Sequence, residues 1–367
     1  MKVNGIPTRT IRSLNGGAAL EIIDQTLLPY SFEKRVLEDW RDCVEAIKEM
    51  RVRGAPLIGV TGAWAVALAV REDPANGPLI QAAEVIKNAR PTAVNLVWAV
   101  QKMLSTLLPR DPSLRLDAAV KMAEEITQAD VLTCRAIGEA GVGIISALYQ
   151  KLRRPVNILT HCNAGWLATV DYGTALSPIY AAFERGTPLH VWVDETRPRN
   201  QGLLTAWELA QQGVPHTIIA DNAGGQLMQH GDIDLVIVGA DRITRRGDVA
   251  NKIGTYLKAL AAFDNEIPFY VAAPCSTIDW KLTDGKREIP IENRSPAEVL
   301  NIRGVDSTGK PSTLQLAAPT EPAANPAFDV THNRFITGII TERGVFKPTE
   351  LAAAYKDVCA LSGQSGV

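Results

Sequence analysis

At 367 residues the chain is longer than one hydrophobic core usually supports, so two domains are expected. Lys and Arg number 38 against 40 Asp and Glu, a net charge of -2, and no basic run could track a phosphate backbone, which argues against a nucleic-acid partner. Five scattered cysteines, Cys43, Cys134, Cys162, Cys275 and Cys359, form no CxxC pair and have no histidine cluster beside them; they read as free thiols in a reducing compartment, without structural zinc.

The first residues, MKVNGIPTRTIRSLNG, hold no apolar core of the kind a secretory signal needs, so a cytoplasmic protein is expected. Short apolar runs broken by Gly and Pro (LEIID, TLLPY) predict a small sheet within about the first 30 residues. Val36 to Met50 then shows helical spacing. The longest apolar stretch, Pro56 to Val70, contains Thr and Gly and stops at Arg71, short of the roughly 20 residues that cross a bilayer; it predicts a buried helix and no membrane span. Asp117 to Leu148 reads as a longer helical tract with a break near Gly141. Residues 1–150 are thus expected to form a smaller, mainly helical domain with a short sheet.

From Pro155 the pattern changes. Five apolar, β-branched runs (VNILT, LHVWVDE, HTIIA, IDLVIVG, PFYVAA) alternate with segments such as LLTAWELAQQG and ANKIGTYLKALAAFD, the pattern of a parallel sheet with crossover helices over residues 151–367. In open α/β sheets ligands bind beyond the carboxyl ends of the strands. Those ends read Thr160-His161-Cys162-Asn163, Asp194-Glu195-Thr196-Arg197, Asp221-Asn222-Ala223-Gly224, Gly239-Ala240-Asp241-Arg242 and Ala273-Pro274-Cys275-Ser276. The Ala/Pro-rich piece from Leu316 to Ala327 is expected to be a surface connection.

Cys162 follows a buried strand and precedes Gly165, where a strand can turn into a helix; backbone donors and a helix N-terminus there would lower a thiol pKa from roughly 8.5. The plainer reading is a small strand-end residue. Asp241 follows a strand buried on both faces, where a carboxylate either pairs with a cation, caps a helix or has a raised pKa suited to an acid. Arg53-Gly54-Ala55 stands ahead of an apolar helix, a loop suited to one phosphate; Arg90 stands at the mouth of another helix, and Arg197 and Arg199 form a third basic loop before Gln201. Any one of these alone is more often a solvated charge. Asn251-Lys252 reads as a helix start bringing an amide and an ammonium near Asp241. No GxGxxG, GxxxxGK[ST] or HExxH occurs, and His190, His216, His230 and His332 lack metal-ligand spacing, so His161 matters only as the neighbour of Cys162.

Taken together, RGAP at 53–56, RPTAVNL at 90–96, THCNAG at 160–165, DETRPRNQG at 194–202, GADRI at 239–243 and NKIGT at 251–255 resemble the methylthioribose-1-phosphate isomerases of methionine salvage. The resemblance runs from GIPTRTI near the start to FDVTHNRFITGIITERGV near the end. The wider superfamily includes the regulatory subunits of translation initiation factor 2B and ribose-1,5-bisphosphate isomerases. One departure is Thr331-His332-Asn333, where the family carries a Thr-Pro pair.

The resemblance implies a Rossmann-like C-terminal domain, a homodimer, no metal and no organic cofactor. It also implies Cys162 and Asp241 as the catalytic pair, with Arg53, Gly54, Ala55, Arg90, Gln201, Asn251 and Lys252 as contacts to a small sugar phosphate. Phosphate on the anomeric carbon blocks spontaneous ring opening, so Asp241 would protonate the ring oxygen. Cys162 would then serve as the base for proton transfer or would position a hydride shift; the residues leave both routes open. Two alternatives stand beside this reading. One is isomerisation of another pentose 1-phosphate, such as 5-deoxyribose 1-phosphate or ribose 1,5-bisphosphate. The other is a non-catalytic regulatory subunit that binds a sugar phosphate.

Overall fold

The computed structural model describes residues 1–90 and 93–358; Pro91 and Thr92 of the RPTAVNL motif, and Cys359, lie outside the described residues. The chain packs as two compact units, one made of Met1–Ala136 with Ala164–Ser177 and the other of Ile137–Asn163 with Pro178–Val367. Where the sequence suggests one boundary near residue 150, the packing gives three crossings.

In the first unit, β1 (Ile11–Leu14), β2 (Ala19–Ile23) and β3 (Lys34–Leu37) form an antiparallel sheet whose register pairs Ile11 with Ile22 and Leu20 with Leu37, all four buried. TLLPY is not a strand; it lies in the connection between β2 and β3. Val36 and Leu37 pair with β2, so the helix expected from Val36 starts only after Asp39, whose carboxylate accepts from the amides of Arg41 and Asp42 while Asp42 caps back. Helix α1 (Trp40–Lys48) leads to α2 (Ala55–Glu72), buried continuously from Leu57 to Val70, then α3 (Asn76–Lys87) and α4 (Val94–Leu107). By length and composition alone α2 could cross a membrane, as could Pro112–Leu152; the burial of α2 makes it the core helix of this unit.

Helix α5 (Arg115–Leu152) runs through Gly141 without a break. The glycine answers a packing need instead: a Cβ there would lie 2.6 Å from Cγ of Pro178 and 3.2 Å from Cδ1 of Ile340.

The second unit is built on a seven-stranded sheet. Its strands are β4 (Val156–Thr160), β5 (Leu189–Asp194), β6 (His216–Ile219), β7 (Leu235–Val238), β10 (Phe269–Ala272), β15 (Gly338–Thr341) and β16 (Gly344–Phe346). Their spatial order is β16-β15-β10-β7-β4-β5-β6, with every pair parallel except the β15–β16 hairpin. The five predicted runs are all strands; β15 and β16 are additions that short, glycine-led segments did not announce. Crossovers run through α6 (Ser177–Glu184), α7 (Gln201–Gln211), α8 (Ala223–Gln229) and α9 (Thr255–Asp264).

A second sheet of β8 (Arg242–Thr244), β9 (Val249–Lys252), β11 (Ile278–Asp279) and β14 (Phe328–Thr331) has the order β11-β8-β9-β14. A hairpin of β12 (Asn301–Val305) and β13 (Pro311–Gln315) precedes the Ala/Pro-rich connection, which is mostly exposed apart from Asn325 and Ala327. Intrinsic propensity favours Ala over Gly in a helix by about 1 kcal/mol, but the Pro178 ring cannot give way, and overpacking costs about 1–3 kcal/mol. Gly141→Ala is therefore expected to lower the thermal midpoint, read by calorimetry, although it improves the helix former.

Candidate active site

Numbering the six parallel strands in chain order, the sheet reads 3-2-1-4-5-6, so strand order reverses between β4 and β7. Crossovers leave in opposite directions there and open a crevice beyond the strand ends. The register pairs Ile158 with Leu235 and Leu159 with Val236, and the Thr160 hydroxyl donates to the Ile237 carbonyl at 2.8 Å. His161-Cys162 and Gly239-Ala240-Asp241 consequently leave the two strands that flank the reversal at the same end.

Cys162 does not lead into an α-helix. A 3-10 turn, Trp166–Ala168, follows, and the crossover helix starts only at Ser177, so the helix that comes next in the chain does not begin at the thiol. The residues that follow β4 and β5 instead take left-handed backbone, with φ +67° at Cys162 and +62° at Thr196. For a β-branched residue such as Thr196 this costs about 1–3 kcal/mol and persists only where surrounding bonds enforce it. Here the Thr196 amide donates to Oδ1 of Asp221 at 2.7 Å and its hydroxyl to the Asp194 carbonyl at 3.0 Å. That hydroxyl oxygen accepts from the Cys162 amide at 2.9 Å, and the Thr205 hydroxyl donates to the Cys162 carbonyl at 2.7 Å.

Asp241 stands between two strands and begins no helix of its own; Arg242 next to it turns to Asp279 at 3.8 Å. The Asp241 amide donates to the carbonyl of Ala250 at 2.9 Å, the residue that Arg242 opposes in the β8–β9 register. Asn251 and Lys252 are therefore the end of β9, not the start of a helix as the sequence suggests: β9 is held on both sides, by β8 and by β14. Both residues are buried; Asn251 donates to the Thr255 hydroxyl at 3.0 Å, and the Lys252 ammonium lies 4.5 Å from the Phe328 ring centroid. Gln201 opens α7 beyond β5, 4% exposed, with Oε1 buried and given no hydrogen bond by the protein. A Cβ on the next residue, Gly202, would lie 1.8 Å from the Asp194 carbonyl, so only glycine lets α7 start this close to β5.

Arg53, Gly54, Ala55 and Arg90 belong to the first unit. Arg53 is 7% exposed, and Gly54 is the residue before α2, at φ +88°. A Gly54 Cβ would fall 2.4 Å from the Ala168 carbonyl, so this loop lies directly against the Ala168 backbone. Arg90 is half-buried in the turn before α4, its carbonyl accepting from the Ala93 amide at 3.0 Å. The third basic loop serves to anchor neighbouring backbone. Arg197 donates to the Val299 carbonyl at 2.9 Å and Arg199 pairs with Glu298 at 2.8 Å, so both fasten the segment ahead of β12.

Sequence reasoning set His161 aside, yet it stands at the centre of a buried polar network. Nδ1 lies 2.8 Å from Oδ2 of Asp194 and Nε2 lies 2.8 Å from the Ile253 carbonyl. Lys258 sits 3.3 Å from the same Asp194 oxygen and donates to the Asp221 carbonyl. Burial raises the Asp194 pKa, opposed by His161 and Lys258. Ligand atoms of His161, Asp194 and Asp221 lie within 4.8 Å of one another, close enough for a cation, but the Asp221 oxygens are taken by the Thr196 and Arg197 amides and Lys258 supplies the positive charge. The signal for this network was the pairing of THC with DET at adjacent strand ends; contacts 33 and 92 residues apart carry no spacing rule.

A doubly wound α/β unit with a thiol and a carboxylate following the two strands that flank its switch point belongs to the Rossmann-like class. Comparison with known proteins is more specific. The chain belongs to the initiation factor 2 subunit family, matched over residues 51–348. It is 57% identical over 351 residues to a methylthioribose-1-phosphate isomerase of Methylobacterium nodulans, covering 95% of this chain and 96% of that one. Likewise it is 56% identical to one from Rhodospirillum rubrum, covering 94% and 90%. Among solved structures it resembles the 5-methylthioribose 1-phosphate isomerase of Pyrococcus horikoshii OT3, with a TM-score of 0.81 and 39% identity over 97% of this chain and 96% of that one. It also resembles the translation initiation factor eIF-2B subunit delta of A. fulgidus, with a TM-score of 0.79 and 38% identity over 95% and 100%.

Asp329, opposite Asn251 on β14, accepts from the Gly254 amide at 2.7 Å and the Tyr256 amide at 3.1 Å, but burial outweighs these and pushes its pKa up to about 6 from 3.8. A carboxyl that protonates more readily in the fold than in the unfolded chain adds stability below its unfolded pKa and loses it as pH rises through the folded one. From about pH 4 to 6.5 the urea midpoint is expected to fall, and Asp329→Asn, which cannot titrate, should flatten that slope. The slope that remains belongs in part to Asp194, raised in the same direction.

Proposed function

We propose that this chain is an aldose-ketose isomerase that converts 5-methylthio-D-ribose 1-phosphate to 5-methylthio-D-ribulose 1-phosphate in methionine salvage. The observation that carries this is near-full-length identity of 55–57% to relatives bearing that enzyme's name. The position of Cys162 and Asp241, after the two strands that flank the sheet's reversal, supports it from the chain's own chemistry.

In this reading the Arg53-Gly54-Ala55 loop and Arg90 hold the phosphate, while Asn251, Lys252 and Gln201 hold the sugar. Asp241 donates a proton to the ring oxygen, which breaks the bond from that oxygen to the anomeric carbon. Hydrogen then passes from C2 to C1, through Cys162 as base or past it as hydride, while the 2-hydroxyl becomes the carbonyl and its proton returns to the Asp241 carboxylate. The reading extends to a cytoplasmic homodimer needing neither metal nor organic cofactor, as the resemblance implies. The regulatory-subunit alternative draws on the likeness to the A. fulgidus protein and predicts binding without turnover.

Purified protein given 5-methylthioribose 1-phosphate, followed by phosphorus and carbon NMR, should form the ketose with no metal or nucleotide added. Cys162→Ser and Asp241→Asn should each cut turnover by about 100-fold or more with binding largely kept. Saturable binding with no turnover by the parent would favour another pentose phosphate or the regulatory reading.

Gln201 separates ligand contact from scaffold. Removing a buried acceptor that the protein leaves unsatisfied costs the fold little. Gln201→Met is therefore expected to hold or raise the thermal midpoint while raising KM about tenfold or more. A fall in both stability and activity would count it as a structural residue instead.

A further inference from the structure

His161 is 1% exposed, and both of its ring nitrogens face an acceptor. The Ile253 carbonyl can only accept, so Nε2 carries a hydrogen. On the other side Nδ1 meets Asp194, which is itself fully buried and has Lys258 at 3.3 Å. One proton lies along the Nδ1–Oδ2 axis, and it fixes the ring's orientation as second partners of imidazoles do. Gly254 lets the ring come this close: a Cβ there would be 3.0 Å from Cε1 and 3.1 Å from Nε2.

The geometry points to His161 as a positioning residue of the isomerase site, an imidazole that ties the Cys162 turn to the Asn251–Lys252 strand end through the Ile253 carbonyl, with Asp194 and Lys258 holding the ring in place. Its backbone is continuous with Cys162 on one side, and the carbonyl it grips is the one after Lys252. Asp241 is joined to the same strand end by its amide on Ala250. A single side chain thus ties the end of β4, which leads to the thiol, to the end of β9, which carries the amide and the ammonium and to which the Asp241 amide is bonded. This inference rests on the proposed isomerase reading and on those residues forming its site. The groups facing the ring are Asp194 from β5, Asp221 from the β6 end, Lys258 from α9 and Asp329 from β14.

Two replacements divide the roles of the nitrogens. His161→Asn keeps a group at the Nδ1 position for Asp194 and loses the reach to Ile253; His161→Gln keeps a donor near the Nε2 position. In the NMR assay His161→Asn is expected to lower kcat about 100-fold, the scale of a misplacement of about 1 Å, with KM changed less than about threefold. His161→Gln should recover about tenfold or more of that loss. Should neither variant fold, nitrogen-labelled parent protein gives an independent reading: an Nε2–H proton and a second proton on the Nδ1–Oδ2 axis, both protected from exchange and the second far downfield, are expected.

Equal losses in the two variants that follow their thermal midpoints, unaltered kcat in both, or a ring freely exchanging with solvent would each overturn the proposal. Cys162→Ser and Asp241→Asn run in parallel keep the two levels apart. If they retain turnover, the site reading beneath this inference fails; if they collapse while the His161 pair does not differ, only this inference fails.

Discussion

The carboxylate of Asp221 accepts from two consecutive amides, Thr196 at 2.7 Å and Arg197 at 2.8 Å, and the backbone of the site follows from that clamp. A carboxylate with two such donors is satisfied without a counter-ion, and it fixes both peptide planes. Thr196 is thereby held in a conformation it would otherwise avoid, and its hydroxyl is left facing the amide that Cys162 presents. The strain at Thr196 is compensated by bonds that each belong to a different strand end: Asp194 from β5, Asp221 from the end of β6, Cys162 from the end of β4. Three parallel strands are coordinated at their ends by side chains, since the ladder itself stops there.

Much of the sheet was legible because strands buried on both faces must be written as unbroken β-branched runs, as IDLVIVG and VNILT are. Their spatial order was not legible, because each run would suit any interior place in the sheet. Gly141 misled for a different reason: a glycine in a helix signals either a break or a close neighbour, and the neighbour, Pro178, is 37 positions away in the sequence. Asn251-Lys252 looked like a helix start since polar residues preceded IGTYLKAL, whereas pairing with β14, nearly 80 residues on, makes them a strand. His161 illustrates the limit most clearly. No local pattern distinguishes a satisfied core histidine from one that bridges two strand ends.

The polar network beyond the strands is not a device for stability. Asp194 and Lys258 are both nearly inaccessible, and taking such charges from water costs several kcal/mol per ion, which mutual attraction returns only when the geometry is good. Hydrophobic residues of similar volume would hold the same elements together at less cost. What charged groups provide, and apolar ones do not, is direction: the ring of His161 has one orientation that satisfies both nitrogens. The same reasoning explains Gln201, whose free oxygen is a deficit to the fold on its own and a ready acceptor for a hydroxyl.

At Gly54 and Gly202 the place of a side chain is already filled by backbone, the Ala168 carbonyl in the first case and the Asp194 carbonyl in the second. Main chain cannot be traded for a smaller neighbour as a leucine can, so no second substitution nearby relieves the first. These two positions are closed to gradual change, in the sense that every one-step replacement passes through a distorted site. A lineage descending from this chain could acquire a new substrate preference only by altering side chains that stand around such fixed points, with the loops before α2 and α7 kept as they are.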